Sequence, residues 1–242
     1  MPPPRIHVPV PLVPGSTLAL PPAAVRHVQV LRLQPGDPLT VFNGEGGEHA
    51  ATVSRMGRSD ASVAVGERAA VDRELRLAVT LALGMPANDR MDALVEKATE
   101  LGVATIQPLL CERSVLRLSG ERADKRRAHW QAIAVSASEQ SGRTRVPSLA
   151  PVQTLAAWLA AQRDAAATRW LLSLGPPAAC LSGTVPAGAW HVLSGPEGGL
   201  TGMEEKLAAE AGFVPASLGA RVLRADTAPL ALLAWLGLQS GD

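Results

Sequence analysis

The segment LRLAVTLALGMPANDRMDALVEKATELGVATIQPLL, residues 75–110, decides the fold class. LRLAVTLALG is a nearly continuous apolar run, which is typical of a strand buried on both faces of a parallel sheet. The apolar residues that follow have helical spacing and share one face of a predicted helix: Met91, Leu94, Val95, Ala98 and Leu101. Gly102 is a helix stop signal, and VATIQPLL is a second strand. The segment therefore predicts a strand–helix–strand unit of an α/β domain.

The same alternation continues to the end of the chain. Predicted helices cover residues 121–140, 153–163, 201–212 and 227–239, and the predicted strands are RWLLSLG, AWHVLSG and FVPASLG. Thr201 and Glu204 have the spacing of a capping box at the start of the third of these helices. Strands that alternate with helices predict a mostly parallel sheet.

The first seventy residues have a different, β-rich pattern. Short runs bounded by turn residues predict the strands RIHVPV, DPLTVFNG, EHAATVSRM and ASVAVGE. Residues 21–37 add a helical turn or two and a Pro-Gly-Asp turn. Strands of this kind favour a small barrel or sandwich, and residues 69–75 form a plausible linker. We therefore expect two domains, residues 1–72 and residues 73–242.

Composition excludes several classes of protein. The chain has 242 residues, of which 47% are hydrophobic, enough for a sizeable core. No apolar run reaches the ~18 residues of a membrane span, and the start lacks the pattern of a signal peptide. Cys111 and Cys180 stand apart, as expected for buried thiols in a reducing cytosol. These thiols favour a cytoplasmic protein, and because no metal-ligand spacing is present, we expect no metal.

Charge is only weakly informative about partners. The net charge is +1, but six basic residues concentrate in the middle of the chain: Arg113, Arg117, Arg122, Lys125, Arg126 and Arg127. This concentration favours either a solvated helix face or a set of phosphate contacts. With five Trp, two Phe and no Tyr, the chain has few aromatic side chains for base stacking.

Two glycine-containing segments follow predicted strands, where ligands bind in open parallel sheets. They are SGPEGGLT at 194–201 and SLGARVLRADTA at 217–228, and RWLLSLG is a possible third rim. SGPEGGLT has no lysine for a phosphate-binding loop and the wrong glycine spacing for a dinucleotide fingerprint. Two interpretations stay open: a loop that offers backbone groups to an uncharged ligand edge such as adenine, or a tight, packed turn.

Several motifs, in this order, carry a resemblance to a known family. They are RHVQVLRLQPGDPLTVFNGEG at 26–46, KATELGV at 97–103, CERS at 111–114, ASEQSGR at 137–143, LSGPEGGLTGMEE at 193–205 and SLGARVLRADTAPLAL at 217–232. Together they resemble the RsmE family of bacterial 16S ribosomal RNA (uracil-N3)-methyltransferases, which belong to the SPOUT class. The resemblance covers nearly the whole chain.

The resemblance implies a fold, a cofactor and partners. The expected fold is α/β: a C-terminal parallel-sheet SPOUT domain tied in a trefoil knot, with an N-terminal PUA-like β-barrel that helps to grip RNA. The expected cofactor is S-adenosyl-L-methionine, and the expected partners are 16S ribosomal RNA in the small subunit and a second copy of the chain. The cofactor-binding residues implied are Leu172, Leu193, Ser194, Gly195, Pro196, Glu197, Gly198, Gly199, Leu218, Gly219, Arg221, Val222, Leu223, Arg224, Thr227 and Ala228.

Methylation of uracil N3 requires a proton to leave, because the protonated nitrogen is a poor nucleophile. Our hypothesis is that Arg113 faces the uracil carbonyls or a flanking phosphate and stabilises the developing anion; a structural ion pair is the alternative. Glu197 is a tempting base, but we expect it to accept hydrogen bonds from its own loop or the partner subunit. Glu139 and Gln140 are further candidates, with helix capping or dimer contact as the alternative roles, and the base stays unassigned.

The predicted RNA contacts are spread over both domains. They are Arg26, His27, Arg32, Arg113, Ser114, Gln140, Arg143 and Arg145. Two other functions stay open: a related SPOUT enzyme with another RNA target, and a non-catalytic RNA-binding factor of ribosome assembly.

Overall fold

The structure is a computed structural model, and it describes residues 2–162, 166–173, 175, 179–180 and 185–240. The chain divides into two compact units: the first contains Met1–Glu74 and Val135–Val146, and the second contains Leu75–Ala134 and Pro147–Asp242. This division differs from the predicted boundary after residue 72, because the segment 135–146 joins the first unit. Side chains explain the difference, since Glu139 bonds to His7 and Arg143 bonds to Glu74.

The first unit is built on one sheet. Its elements before residue 75 are β1 (Arg5–His7), β2 (Thr17–Ala19), α1 (Pro22–Val30), β3 (Pro38–Phe42), β4 (Glu48–Met56) and β5 (Ala61–Ala69). The strand order is β1-β3-β4-β5-β2; β1 is parallel to β3, and the other pairs are antiparallel. Val53, Val63 and Val65 are buried, as the period-two alternation of β4 and β5 predicts. The three-residue β2 was missed because it is too short to show a pattern.

The second unit is built on a parallel sheet. Its elements are β6 (Leu77–Gly84), α2 (Asn88–Glu100), β7 (Thr105–Leu110), α3 (Gly120–Ser141), β8 (Ser148–Leu149), β9 (Gln153–Thr154), α4 (Leu155–Gln162), β10 (Thr168–Leu172), β11 (Ala179–Cys180), β12 (Gly188–Ser194), α5 (Gly202–Glu210), β13 (Val214–Ser217) and α6 (Thr227–Ser240). The part of α3 from residue 135 onward belongs to the first unit. The strand order is β11-β13-β10-β12-β6-β7-β8, with β9 also on β7, and every pair described is parallel.

Local sequence explains most element boundaries in the second unit. The apolar face of α2 is buried at Met91, Leu94, Val95 and Ala98. The capping box predicted for α5 is present: Thr201 caps the backbone of Glu204, and Glu204 caps that of Thr201. The helix predicted over 153–163 begins two residues later, at Leu155, and its predicted last residue lies outside the described residues.

Parallel strands bring their carboxyl ends to one edge of the sheet. β6, β10, β12 and β13 are neighbours there and end at Gly84, Leu172, Ser194 and Ser217. The loops after these strands therefore start side by side. In the described part of the chain, no helix is both long and apolar enough to span a membrane.

Candidate functional site

A cavity of about 320 Å³ lies at this edge of the second unit. That volume is at the lower end of the range of small-molecule sites, about 300–1,000 Å³. Its lining comes from the ends of β10, β12 and β13, the loops that follow these three strands, and the first turns of α5 and α6. The lining residues are Leu172, Ser173, Gly175, Ser194, Gly195, Pro196, Glu197, Gly199, Leu200, Glu205, Ala216, Leu218, Arg221, Val222, Leu223, Arg224, Ala225 and Ala228.

The cavity brings together most of the predicted cofactor residues. Four of the predicted residues do not line it: Leu193, Gly198, Gly219 and Thr227. Leu193 is fully buried and packs in a hydrophobic core cluster of the second unit. Six lining residues were not among those predicted individually: Ser173, Gly175, Leu200, Glu205, Ala216 and Ala225. Of these six, Glu205 and Ala216 lie outside both glycine segments and outside the possible third rim. Ala216 lies near the end of β13, and the position of this strand beside β10 becomes clear only from the strand order of the sheet.

Glycine is required where β6 meets the loop after β12. A Cβ added at Gly84 would lie 2.5 Å from both the nitrogen and Cδ of Pro196. A Cβ added at Gly195 would lie 3.0 Å from the backbone nitrogen of Leu200. The loop after β12 therefore packs against β6 and against itself more closely than a side chain at Gly84 or Gly195 would allow. This close packing explains why both positions are glycine. The loop is tightly packed and also lines the cavity, so the packed turn is present and the binding of a ligand edge stays a prediction.

Glu197 is bound to a different loop from the one we predicted. Its Oε1 accepts a 3.0 Å hydrogen bond from the backbone N–H of Ala87, just before α2, and lies 3.6 Å from Nη1 of Arg90. Glu197 therefore ties the loop after β12 to the start of α2, and the expectation of a partner in its own loop was wrong.

Arg113 contacts the same loop from the other side. Its Nη1 donates hydrogen bonds to the carbonyls of Gly198, at 3.0 Å, and Leu200, at 3.3 Å. No contact of its Nε or Nη2 is found within the described residues, so these N–H groups are available to another partner. The alternative of an ion pair is not what the structure shows, because both acceptors are backbone carbonyls.

The loop after β13 contains one unmet polar atom. Oδ1 of Asp226 is buried and has no hydrogen-bond partner within the described chain. Asp226 follows the lining residues Arg224 and Ala225. A buried carboxylate oxygen without a donor is unfavourable, so a ligand donor at this loop would stabilise it.

The predicted RNA contacts separate into buried and exposed residues. Arg143 is 4% exposed and Ser114 is 5% exposed, so neither can touch a phosphate in this conformation. Nε of Arg143 donates to Oε2 of Glu74 at 2.9 Å, and Oγ of Ser114 accepts from the backbone N–H of Cys111 at 3.0 Å. Both predictions are contradicted because a local motif does not reveal a distant or buried partner. The exposed members of the set are Arg26, Arg32, Arg113, Gln140 and Arg145.

Glu139 lies between two histidines of the first unit. Its Oε1 accepts a 2.8 Å hydrogen bond from the backbone N–H of His7, and its Oε2 is 3.1 Å from Nδ1 of His27. The hydrogen bond with Glu139 raises the pKa of His27, while burial lowers the pKa of His7. Glu139 therefore holds its own unit together, and that role differs from both the base and the dimer contact considered for it.

The cysteine and metal expectations have separate outcomes. Cys111 is 3% exposed, and burial, followed by the charge of Glu204, raises the pKa of its thiol to about 12. It is an inert buried thiol, as expected. The side chain of Cys180 lies outside the described residues. No group of His, Cys, Asp and Glu in the described ranges is arranged to hold a metal ion.

Comparison with family models identifies two regions of the chain. Residues 73–237 match a family described as the RNA methyltransferase domain. Residues 20–65 match the RNA methyltransferase PUA domain. The first match covers more than half of the chain.

Similar proteins of known name agree with these matches. The ribosomal RNA small subunit methyltransferase E of Synechocystis is 36% identical over 225 residues, which are 90% of this chain and 72% of that protein. The protein of the same name from Bacillus subtilis is 32% identical over 88% of this chain and 86% of its own length.

Solved structures extend the likeness to three dimensions. The ribosomal RNA small subunit methyltransferase E of Neisseria gonorrhoeae, bound to S-adenosyl methionine, has a TM-score of 0.91 and 40% identity, covering 97% of this chain and 96% of its own. A methyltransferase of Legionella pneumophila with bound SAM has a TM-score of 0.90 and 34% identity, covering 98% and 97%. These matches confirm the predicted fold class, an α/β SPOUT domain with an N-terminal PUA-like domain.

Proposed function

The chain belongs to the ribosomal RNA small subunit methyltransferase E family, and on that basis we propose that it methylates N3 of one uridine in 16S ribosomal RNA. The methyl donor is S-adenosyl-L-methionine, which both solved relatives contain. The observation that carries the proposal is the convergence of three strand-end loops on one cavity, where glycine lets backbone approach backbone.

The residues at the cavity fit this donor. The loops at 194–200 and 218–228 offer main-chain groups around a cavity of about 320 Å³. The buried, unpartnered oxygen of Asp226 can accept a ligand N–H. When bound, the donor supplies a methyl group already activated on a sulfonium. The chain's task is to hold the reactants in line, which can lower a barrier by roughly 7–11 kcal/mol.

We propose that Arg113 also stabilises the uracil as its N3 proton leaves. One nitrogen of the guanidinium is bound to the loop carbonyls, which fixes the direction of the other N–H groups. A fixed cation beside the uracil carbonyls stabilises negative charge at no reorganisation cost. Glu197 and Glu139 are committed to other partners and are not proposed as the base.

RNA would be held by exposed cations of both units. In the first unit these are Arg26, Arg32 and Arg145, with Gln140 as a neutral donor, and Arg113 serves the second unit. Because the proposed substrate is 16S ribosomal RNA, we also propose that the protein acts in the cytoplasm. Binding to phosphate through arginine should weaken steeply as salt rises.

We also propose that two copies pair through the second unit. The resemblance to the family is the basis of this proposal, and the exposure of the large apolar side chain of Leu238, at 83%, is compatible with it. Light scattering coupled to size exclusion tests the pairing, and a monomer at micromolar concentration would contradict it.

Two measurements test the function. Mass spectrometry of 16S RNA from a deletion strain should find one unmethylated uridine, and the wild-type gene should restore the methyl group. Isothermal titration with S-adenosyl-L-methionine separates an enzyme from a non-catalytic RNA binder. A methyl group lost from another base, or from transfer RNA, would point to a different substrate.

A further inference from the structure

The turn after β7 makes direct hydrogen bonds to the cavity loop. Residues 111–114, here called the 111–114 turn, close on themselves: Ser114 N–H donates to the carbonyl of Cys111 at 3.1 Å, and Cys111 N–H donates to Oγ of Ser114 at 3.0 Å. The two residues between them face the segment 198–204. The turn is therefore held by its own hydrogen bonds beside the loop that lines the cavity.

Glu204 joins the start of α5 to this turn. Its Oε2 accepts from the backbone N–H of Thr201 at 2.9 Å, and its own backbone N–H donates to Oγ1 of Thr201 at 3.3 Å, which completes the capping box. Its Oε1 accepts a 2.8 Å hydrogen bond from the backbone N–H of Glu112. Capping alone uses one carboxylate oxygen, so the second oxygen makes a contact that helix formation does not require.

Arg113 makes the second link between the same two segments. Besides its bonds to the carbonyls of Gly198 and Leu200, its Cβ would lie 3.1 Å from a Cβ added at Gly198. Two neighbouring residues of the turn thus donate hydrogen bonds to this segment. The backbone N–H of Glu112 donates to Glu204, and the guanidinium of Arg113 donates to the loop carbonyls. Between these two links lie Gly199 and Leu200, which line the cavity.

We propose that Glu204 is a positioning residue for the cofactor cavity: its carboxylate holds the 111–114 turn against the 198–201 loop and so sets both the loop and Arg113. This inference rests on the proposed function for the identity of the ligand, and it assigns no chemistry to Glu204 itself. Its charge matters because two backbone donors approach one side chain, and only a carboxylate accepts at both ends.

The test compares three variants of the full-length protein. Glu204→Gln replaces one acceptor oxygen with an amide donor, so one of the two backbone N–H groups loses its acceptor. Thr201→Val removes the capping hydroxyl but keeps both backbone bonds to Glu204. Glu210→Gln is the matched control, because Glu210 ends the same helix and lies 4.0 Å from Lys206 at the surface.

Amide hydrogen exchange of the segments containing Glu112 and Thr201 is the first measurement, and it needs no ligand. In Glu204→Gln at least one of these two amides should exchange faster than in the wild type, because the amide side chain keeps only one acceptor oxygen. Thr201→Val and Glu210→Gln should match the wild type at Glu112. Unchanged protection of both amides in Glu204→Gln would overturn the proposal, whatever the protein binds.

Isothermal titration with S-adenosyl-L-methionine is the second measurement. Glu204→Gln should raise Kd about tenfold, corresponding to ~1.4 kcal/mol, and Thr201→Val should change Kd by less than about twofold, because cap loss acts on helix stability. An equal rise of Kd in both variants would show that Glu204 acts only as a helix cap. Failure of the wild type to bind would instead overturn the proposed function and leave the exchange result standing.

Discussion

His27 and Glu139 form an ion pair in the first unit, with 3.1 Å between Nδ1 and Oε2. The hydrogen bond with Glu139 outweighs partial burial and raises the pKa of His27 above 6.5. A group whose folded pKa is raised stabilises the fold fully below its unfolded pKa. This stabilisation is lost as pH rises through the folded pKa.

We therefore expect His27→Gln to lower the melting temperature more at about pH 5.5 than at about pH 8.5. Thermal unfolding of the variant and the wild type at both pH values measures the difference. His7→Gln is the contrasting control: burial lowers the pKa of His7, so protonation opposes folding there, and its deficit should shrink at low pH. A deficit of His27→Gln that is independent of pH would contradict the ion pair.

Arg113→Ala should reduce kcat about 10²-fold or more, as for other groups that stabilise a developing anion. The Kd for S-adenosyl-L-methionine should rise by a smaller factor, because two hydrogen bonds to the loop carbonyls are lost. Methyl transfer measured at saturating donor, beside calorimetry, separates the two effects. A loss of turnover no larger than the loss of affinity would leave Arg113 only a positioning role.

Gly84→Ala should disturb the cavity without touching the ligand. The new Cβ would lie 2.5 Å from two atoms of Pro196, so the loop must move. Overpacking of this kind costs about 1–3 kcal/mol, and we expect donor affinity to fall at least about fivefold.

Gly202→Ala is the matched control for Gly84→Ala. A Cβ at Gly202 meets no described atom within 4 Å, and this residue begins α5 rather than lining the cavity. Calorimetry should find its affinity unchanged. Equal affinity of the Gly84→Ala protein and the wild type would show that the loop is not held by this contact.

Two nearby arginines should have different roles: Arg143 should stabilise the fold, and Arg145 should bind RNA. The Arg143 side chain is 5% exposed and bonded to Glu74, so Arg143→Ala should destabilise the first unit by about 3–5 kcal/mol, the cost of leaving a buried carboxylate without its cation. Arg145 is exposed. Arg145→Ala should keep the melting temperature and reduce the salt slope of RNA binding by about 0.7–0.9, one phosphate contact.

Denaturant unfolding and RNA titration at several salt concentrations measure both effects. If Arg143→Ala kept its stability and lost RNA affinity, the buried ion pair would not describe the protein in solution. If Arg145→Ala left the salt slope unchanged, Arg145 would not contact phosphate.

Local patterns were sufficient for the elements that have them. The apolar run before Gly84, the helical spacing of Met91 and Leu94, and the Thr201–Glu204 capping box all predicted structure that is present. The edge rule for parallel sheets then predicted that the two glycine segments lie at one ligand-binding edge of the sheet.

Contacts between distant residues were not predictable in this way. Glu197 found its donor at Ala87, 110 positions away, and Glu204 found one at Glu112, 92 positions away. The motif around Arg143 predicted an exposed cation, but its side chain is buried and donates a hydrogen bond to Glu74.

The sequence alone thus determined the α/β class, the two-part organisation and the loops that form the cavity, because periodicity and turn chemistry act over a few neighbouring residues. Only the tertiary structure decided which charged side chains face solvent and which hold loops together. Those choices depend on burial and on hydrogen-bond partners brought from far along the chain, and no local spacing encodes them.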